Sequence, residues 1–122
     1  MFKVNEKDFE YRYGDNGPKY LMKGPRLNFA LVQFMPGQSF KAHYHNIMEE
    51  NFYILNGKID IVVDGVVHTL AEGDMIHIEP KEIHFCINNY SEPVKMVSVL
   101  GPHQQVDKVE VDDYTYDPNN KA

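Results

Sequence analysis

The chain has 122 residues, of which 12 are lysine or arginine and 18 are aspartate or glutamate, for a formal net charge of −6. That length supports one domain with its own hydrophobic core, and the single cysteine, Cys86, excludes an internal disulfide and fits a reducing compartment. The acidic balance argues against a nonspecific nucleic-acid surface, no apolar run approaches a membrane span, and Glu6, Asp8 and Glu10 come too early for a secretory signal. A cytoplasmic protein with no nucleic-acid or membrane partner is the expectation.

In chain order, Met1 to Tyr13 is mixed in character and reads as an edge strand or an N-terminal arm. Gly14 to Pro25, GDNGPKYLMKGP, is rich in glycine and proline and reads as loop. Arg26 to Met35 carries strand formers and ends at the Pro36-Gly37 turn. Phe40 to His45 forms the next strand and Asn51 to Leu55 the one after. Asn56-Gly57 is a hairpin signal that hands over to Lys58 to Val63, and Asp64-Gly65 marks a second tight turn before Val66 to Leu70. After a third turn at Gly73-Asp74, Met75 to Ile78 and His84 to Ile87 bracket the turn EPKEI, and Val94 to Leu100 is a further strand. Phe52, Ile54, Met75, Ile76, Ile78, Phe85 and Ile87 are read as core, with Cys86 as a small buried hydrophobe. From Val106 the chain alternates once, in VDKVEV, and then becomes acidic and polar, so the tail 112–122 is expected to fray. Short strands separated by glycine-centred turns, without helical periodicity, argue an all-β sandwich or barrel. The two-residue turns require antiparallel neighbours.

The chemistry is concentrated between Gly37 and Gly57, GQSFKAHYHNIMEENFYILNG. His43 and His45 are two residues apart, so on a strand both imidazoles leave one face and can converge on one ion. A carboxylate follows on the next strand. Glu50 shares its parity with Phe52 and Ile54, and Glu49 with Tyr53 and Leu55; both sets are apolar, so parity leaves open which glutamate points inward.

Read as spacing, Gly37, five residues, His43-x-His45, four residues, Glu50, six residues, Gly57 resembles the first signature of the cupin superfamily. Gly73, His84 and Asn88 fall at the intervals of the second signature, with Glu79 and Lys81 where it expects proline and glycine, and with Pro80 between them. The resemblance implies a double-stranded β-helix (a jelly roll, the cupin barrel) over about residues 26–100 of a single domain 1–122, with an arm at 1–13. It implies Glu50 rather than Glu49 as the carboxylate ligand and adds His84, so that His43, His45, Glu50 and His84 would hold one divalent metal ion. Manganese, iron, nickel or zinc suits three imidazoles and a carboxylate, and an octahedral ion would keep two positions open. The family covers many reactions. The expectation is therefore a metal-dependent enzyme acting on a small oxygen-rich molecule, a carbohydrate derivative or carboxylate, by isomerase, lyase or dioxygenase chemistry; the alternative is a non-catalytic binding or sensing module anchored by the metal.

Several residues outside the signatures are candidates for the same site. His77 is a candidate acid or base beside the metal. Arg26 and Lys41 are candidate substrate ligands, able to meet a carboxylate. His103, Gln104 and Gln105 are candidates to close one end of the barrel. Small cupins commonly pair, and Phe9, Tyr11 and Tyr13 have no place in the minimal barrel, so a homodimer using the arm is expected; those aromatics could instead cover their own subunit's edge.

Overall fold

The computed structural model describes residues 1–122. Ten strands follow a short 3-10 turn at Glu6–Asp8: β1 Gly17–Lys23, β2 Asn28–Phe34, β3 His43–His45, β4 Glu49–Asn56, β5 Lys58–Val63, β6 Val66–Ala71, β7 Met75–Ile78, β8 His84–Ile87, β9 Val94–Gly101 and β10 Lys108–Glu110. They form two five-stranded sheets in the orders β1-β2-β9-β4-β7 and β10-β3-β8-β5-β6, antiparallel throughout. This is the all-β architecture expected from the turn pattern, in the jelly-roll form that the signature resemblance implies. Three strands, β5, β7 and β8, have the very bounds read from sequence: glycine-centred turns limit β5 at both ends and β7 at its start, and the proline-containing turn EPKEI separates β7 from β8. The chain holds no helix long and apolar enough to cross a membrane.

Between the sheets lies a core of alternating inward residues, among them Val32, Phe34, Phe52, Ile54, Ile59, Ile61, Ile78, Cys86 and Met96. Burying each of these large side chains contributes about 1.5–3 kcal/mol, and the cluster fixes the separation of the two sheets. Met75 is a correction to the expected core. It pairs with Tyr53 in the β4–β7 register, which puts both on the outer face of the first sheet, where they are exposed.

Two segments depart from the sequence reading. Gly17–Lys23, expected as loop, is an edge strand paired with β2. Pro18 is tolerated because an edge strand needs no ladder donor on its solvent side, and a bulge between Tyr20 and Met22 absorbs the irregular pattern. The C-terminal tail, expected to fray, is tied down: the Val67 amide donates to Asn120 O at 2.8 Å and the Ala122 amide to Val67 O at 3.0 Å. The outer face of the second sheet carries Val62, Val67 and Phe85, and Tyr114 and Tyr116 cover Phe85 with ring centroids 6.1 and 5.2 Å away.

The N-terminal arm lies against the first sheet. Glu6 bridges Lys95 at 2.8 Å and Lys19 at 3.2 Å, and the Lys19 ammonium sits 4.4 Å from the centroid of the Tyr11 ring. Tyr11 thus lies against the edge strand β1, while Tyr13 is exposed.

Candidate metal centre

His43, His45, Glu50 and His84 converge in the interior, and one ligand atom from each lies within 4.8 Å of all the others. Three local rules bring them there. The period of two along β3 turns His43 and His45 inward and Tyr44 outward. His84 stands directly opposite His43 in the β3–β8 pair and so shares its face. Glu50 comes from the facing sheet, where β4 buries Glu50, Phe52 and Ile54 and leaves Glu49, Tyr53 and Leu55 outward. That pattern resolves the ambiguity between the two glutamates.

All four residues are nearly sealed from solvent, with exposures of 6, 7, 8 and 1% in chain order. His84 Nε2 donates to Glu50 Oε1 at 2.9 Å, and Ser98 Oγ donates to Glu50 Oε2 at 2.8 Å. His43 Nδ1 donates to Lys41 O and His84 Nδ1 to Glu82 O, both at 2.9 Å. These carbonyls hold the protons on Nδ1 and aim each Nε2 at the centre, the orientation that metal-binding histidines use. His45 supplies the test of fit. Both of its ring nitrogens are buried without a hydrogen-bond partner, and Nε2 stands 3.5 Å from Glu50 Oε1. An unpartnered buried polar group costs about 1–3 kcal/mol, and a cation at the centre would satisfy Nε2. The donor set suits a divalent transition metal.

Electrostatics point the same way. Burial pushes the His43 imidazole down to about 4, with the nearby His84 charge adding to the effect, so it is a neutral nitrogen donor. Burial also opposes charge on Glu50, but the neighbouring His45 and His84 imidazoles outweigh it and hold the carboxyl below its ordinary range. Burial opposes charge on His84 too; the Glu50 bond prevails and raises it. The proton between His84 and Glu50 occupies a lone pair that an ion needs, so ion and proton compete. Cys86 belongs to the packing: burial pushes its thiol well up, which keeps it protonated and unreactive.

The other candidates lie elsewhere. His77 pairs with Asn51 across β4 and β7, on the face opposite Glu50; it is half exposed, donates from Nδ1 to Asn51 Oδ1 at 2.6 Å and lies 3.3 Å from both Glu49 and Glu79. The same period of two that turns Glu50 inward turns His77 outward, so it has no access to the cluster. Arg26 is exposed in a surface hollow with Leu27, Glu49 and Pro102. Lys41 points outward and is engaged by Glu110 and Asp112. His103, Gln104 and Gln105 line a separate polar hollow with Lys23 and Asp107, and Tyr20 borders both that hollow and the main cavity.

That main cavity, about 190 Å³, has His43, His45 and Glu50 among its lining residues. Its walls include Phe34, Phe40 and Phe52, with Tyr20 and Ser98 as polar interruptions, and its rim carries the exposed Arg12, Tyr13 and Lys108. Tyr20, Arg12 and Lys108 escaped the sequence reading. Tyr20 and Lys108 had as local signal only the segments KYLMK and VDKVEV, neither of which says which cavity a strand borders, and Arg12 had none.

Comparison with known proteins agrees with this architecture. Residues 30–100 match the Cupin domain family. Quercetin 2,3-dioxygenase of Bacillus subtilis is 35% identical over 66 residues, which are 54% of this chain and 19% of that enzyme. Among solved structures, a Klebsiella pneumoniae protein with a double-stranded beta-helix domain has a TM-score of 0.79 at 18% identity, covering 93% of this chain and 99% of that one. The polyketide cyclase RemF of Streptomyces resistomycificus has a TM-score of 0.78 at 18% identity, covering 97% and 89%. Likeness at that identity concerns the fold.

Proposed function

The chain belongs to the cupin family, and on that premise we propose that it is a metal-dependent enzyme acting on a small molecule whose oxygen donor reaches the His43, His45, Glu50 and His84 cluster. The observation that carries this reading is the continuity of cluster and cavity: three of the four candidate ligands also line a space whose rim reaches exposed residues. A purely structural metal site needs no such space, since structural sites are closed. An ion held there would supply Lewis acidity to an oxygen meeting it.

The chain's own residues prepare the rest. Ser98 and His84 clamp the two oxygens of Glu50, so the carboxylate keeps one orientation. Phe34, Phe40 and Phe52 exclude water and offer a flat apolar wall. Tyr20 is held protonated by burial and by the charge of Glu50, so its hydroxyl serves as a proton donor and not as a base. The wall suits a ring or a branched carbon body better than a carbohydrate, which would bury hydroxyls against phenyl faces. A carboxylate stays within the class.

A second reading has one observation in its favour. Beyond the four cluster residues, the cavity wall holds no carboxylate and no histidine, so proton abstraction has no dedicated base. A ligand-binding module anchored by its metal needs none. Metal-loaded protein incubated with phenolic, keto-acid and aryl carboxylate compounds separates the two readings. Product that forms only with metal and disappears in Glu50→Gln supports the enzyme, whereas saturable thermal shifts with no product from any compound support the module.

A further inference from the structure

In a chain of net charge −6, the cavity is lined by two cations, Arg12 and Lys108, and by a single carboxylate, Glu50, which is clamped within the cluster. Neither cation has a carboxylate partner. Neighbouring lysines are engaged: Lys19 and Lys95 share Glu6, and Lys41 holds Glu110 and Asp112. Lys108 stands opposite His45 in the β10–β3 pair, and so on the face of the candidate ligands. Arg12 is presented by a tight turn spanning Tyr11 to Pro18. Its amide donates to Pro18 O at 3.0 Å, the Tyr13 amide donates to Asn16 O at 3.1 Å, and Gln33 Nε2 ties the turn to β2 through Asp15 O at 3.1 Å. Gly17, at φ +88°, is needed there because a Cβ would sit 2.8 Å from the Tyr13 ring. The backbone that carries Arg12 is thus fixed at the cavity rim and does not wander over the surface.

Behind these two charges lies the aromatic wall, in a space of about 190 Å³. A cavity of about 150 Å³ is enough to admit a benzene ring. From the pairing of cationic rim with apolar wall we infer that the cavity selects a small organic anion: a carboxylate joined to an apolar, single-ring-sized body, its charged group met by Arg12 and Lys108. Arg12 gives the carboxylate a planar two-pronged partner and Lys108 a point charge. Low-dielectric walls focus the field of both charges into the entrance, which draws anions toward a protein that is acidic overall. The inference rests on the proposed function for the second oxygen of the ligand, which faces the metal cluster, but the anion selection itself belongs to Arg12 and Lys108.

Calorimetric titration with salicylate and with its neutral amide, salicylamide, tests the selection, first on metal-free and then on metal-loaded protein. Salicylate is expected to bind about tenfold or more tighter than the amide in both states, since charge-assisted bonds to the rim are lost in the amide. Raising the salt should weaken salicylate alone. In metal-free Arg12→Gln/Lys108→Gln the preference should vanish, while the affinity for manganese, measured separately, does not fall below the wild-type value. Equal binding of acid and amide by wild type, binding of neither, or a preference that survives in the metal-free double variant overturns the inference. Wild-type protein that fails to bind manganese yet still prefers salicylate sinks the metal-enzyme reading and leaves the anion selection standing.

Discussion

Ser98 Oγ donates to Glu50 Oε2 at 2.8 Å across the β4–β9 pair, completely inside the barrel. With His84 on the other oxygen, this bond makes the buried carboxylate a two-sided clamp. Ser98→Ala leaves one anionic oxygen without a partner, at a cost of about 1–3 kcal/mol. Because such supporting bonds orient metal ligands, the same change should weaken metal binding about 10- to 100-fold. Denaturant melts and a metal titration on the same variant check both effects.

His45 offers a sharper test of the metal centre. Since neither of its ring nitrogens has a partner, metal-free His45→Ala loses no hydrogen bond of that ring. An ion that binds only the folded protein raises its stability. Adding manganese or zinc should therefore raise the melting temperature of wild type and leave His45→Ala unmoved. Equal shifts in the two proteins would remove His45 from the ligand set.

The turn before His84 contains Lys81 at φ +74°, where the family signature expects glycine. Its amide donates to His45 O at 2.7 Å and its ammonium to Asn46 Oδ1 at 2.7 Å, so the strained turn is tied to β3. A left-handed residue with a Cβ costs about 1–2 kcal/mol. Lys81→Gly and Lys81→Ala lose the same ammonium bond, and only glycine relieves the backbone. The glycine variant should be the more stable of the two by about 1 kcal/mol, a difference reduced by glycine's freer unfolded chain. Chemical denaturation of the pair measures it, and an alanine variant as stable as the glycine one would contradict the strain.

Asp60 sets an acid limit on the fold. Its carboxylate accepts bonds from Thr69 Oγ1 at 2.7 Å, Tyr90 Oη at 2.7 Å and Asn89 Nδ2 at 2.9 Å. Burial works against its charge, but these donors prevail and hold its pKa below the ordinary 3.8. A depressed folded value means that the contribution is fully present above the unfolded pKa and is lost as pH falls through the folded one. The stability gap between wild type and Asp60→Asn should be constant near neutrality and shrink below about pH 4. A gap unchanged down to strongly acid pH would show that the carboxylate's charge is irrelevant.

What the sequence determined by itself is what short-range geometry controls. The Asn56-Gly57 and Asp64-Gly65 turns demand antiparallel neighbours, and the two-residue spacing of His43 and His45 puts both rings on one face, whatever the rest of the chain does. The tertiary structure decided everything that depends on which strand lies opposite which. Glu49 and Glu50 head equally apolar alternating sets, and only the facing sheet makes the Glu50 side interior. His77 and Glu50 are neighbours across a pair of strands yet look to opposite faces, because the register sets Asn51 against His77. Arg26 and Lys41 lie close in sequence to the strands of the site but turn to solvent or to acidic partners, while Arg12 and Lys108, distant from the signature residues in sequence, are brought to the cavity by the edge strand β1 and by β10. A side chain's face follows from local backbone period; the neighbour it meets there is fixed by pairing between distant segments, whose register is set by packing of the whole barrel.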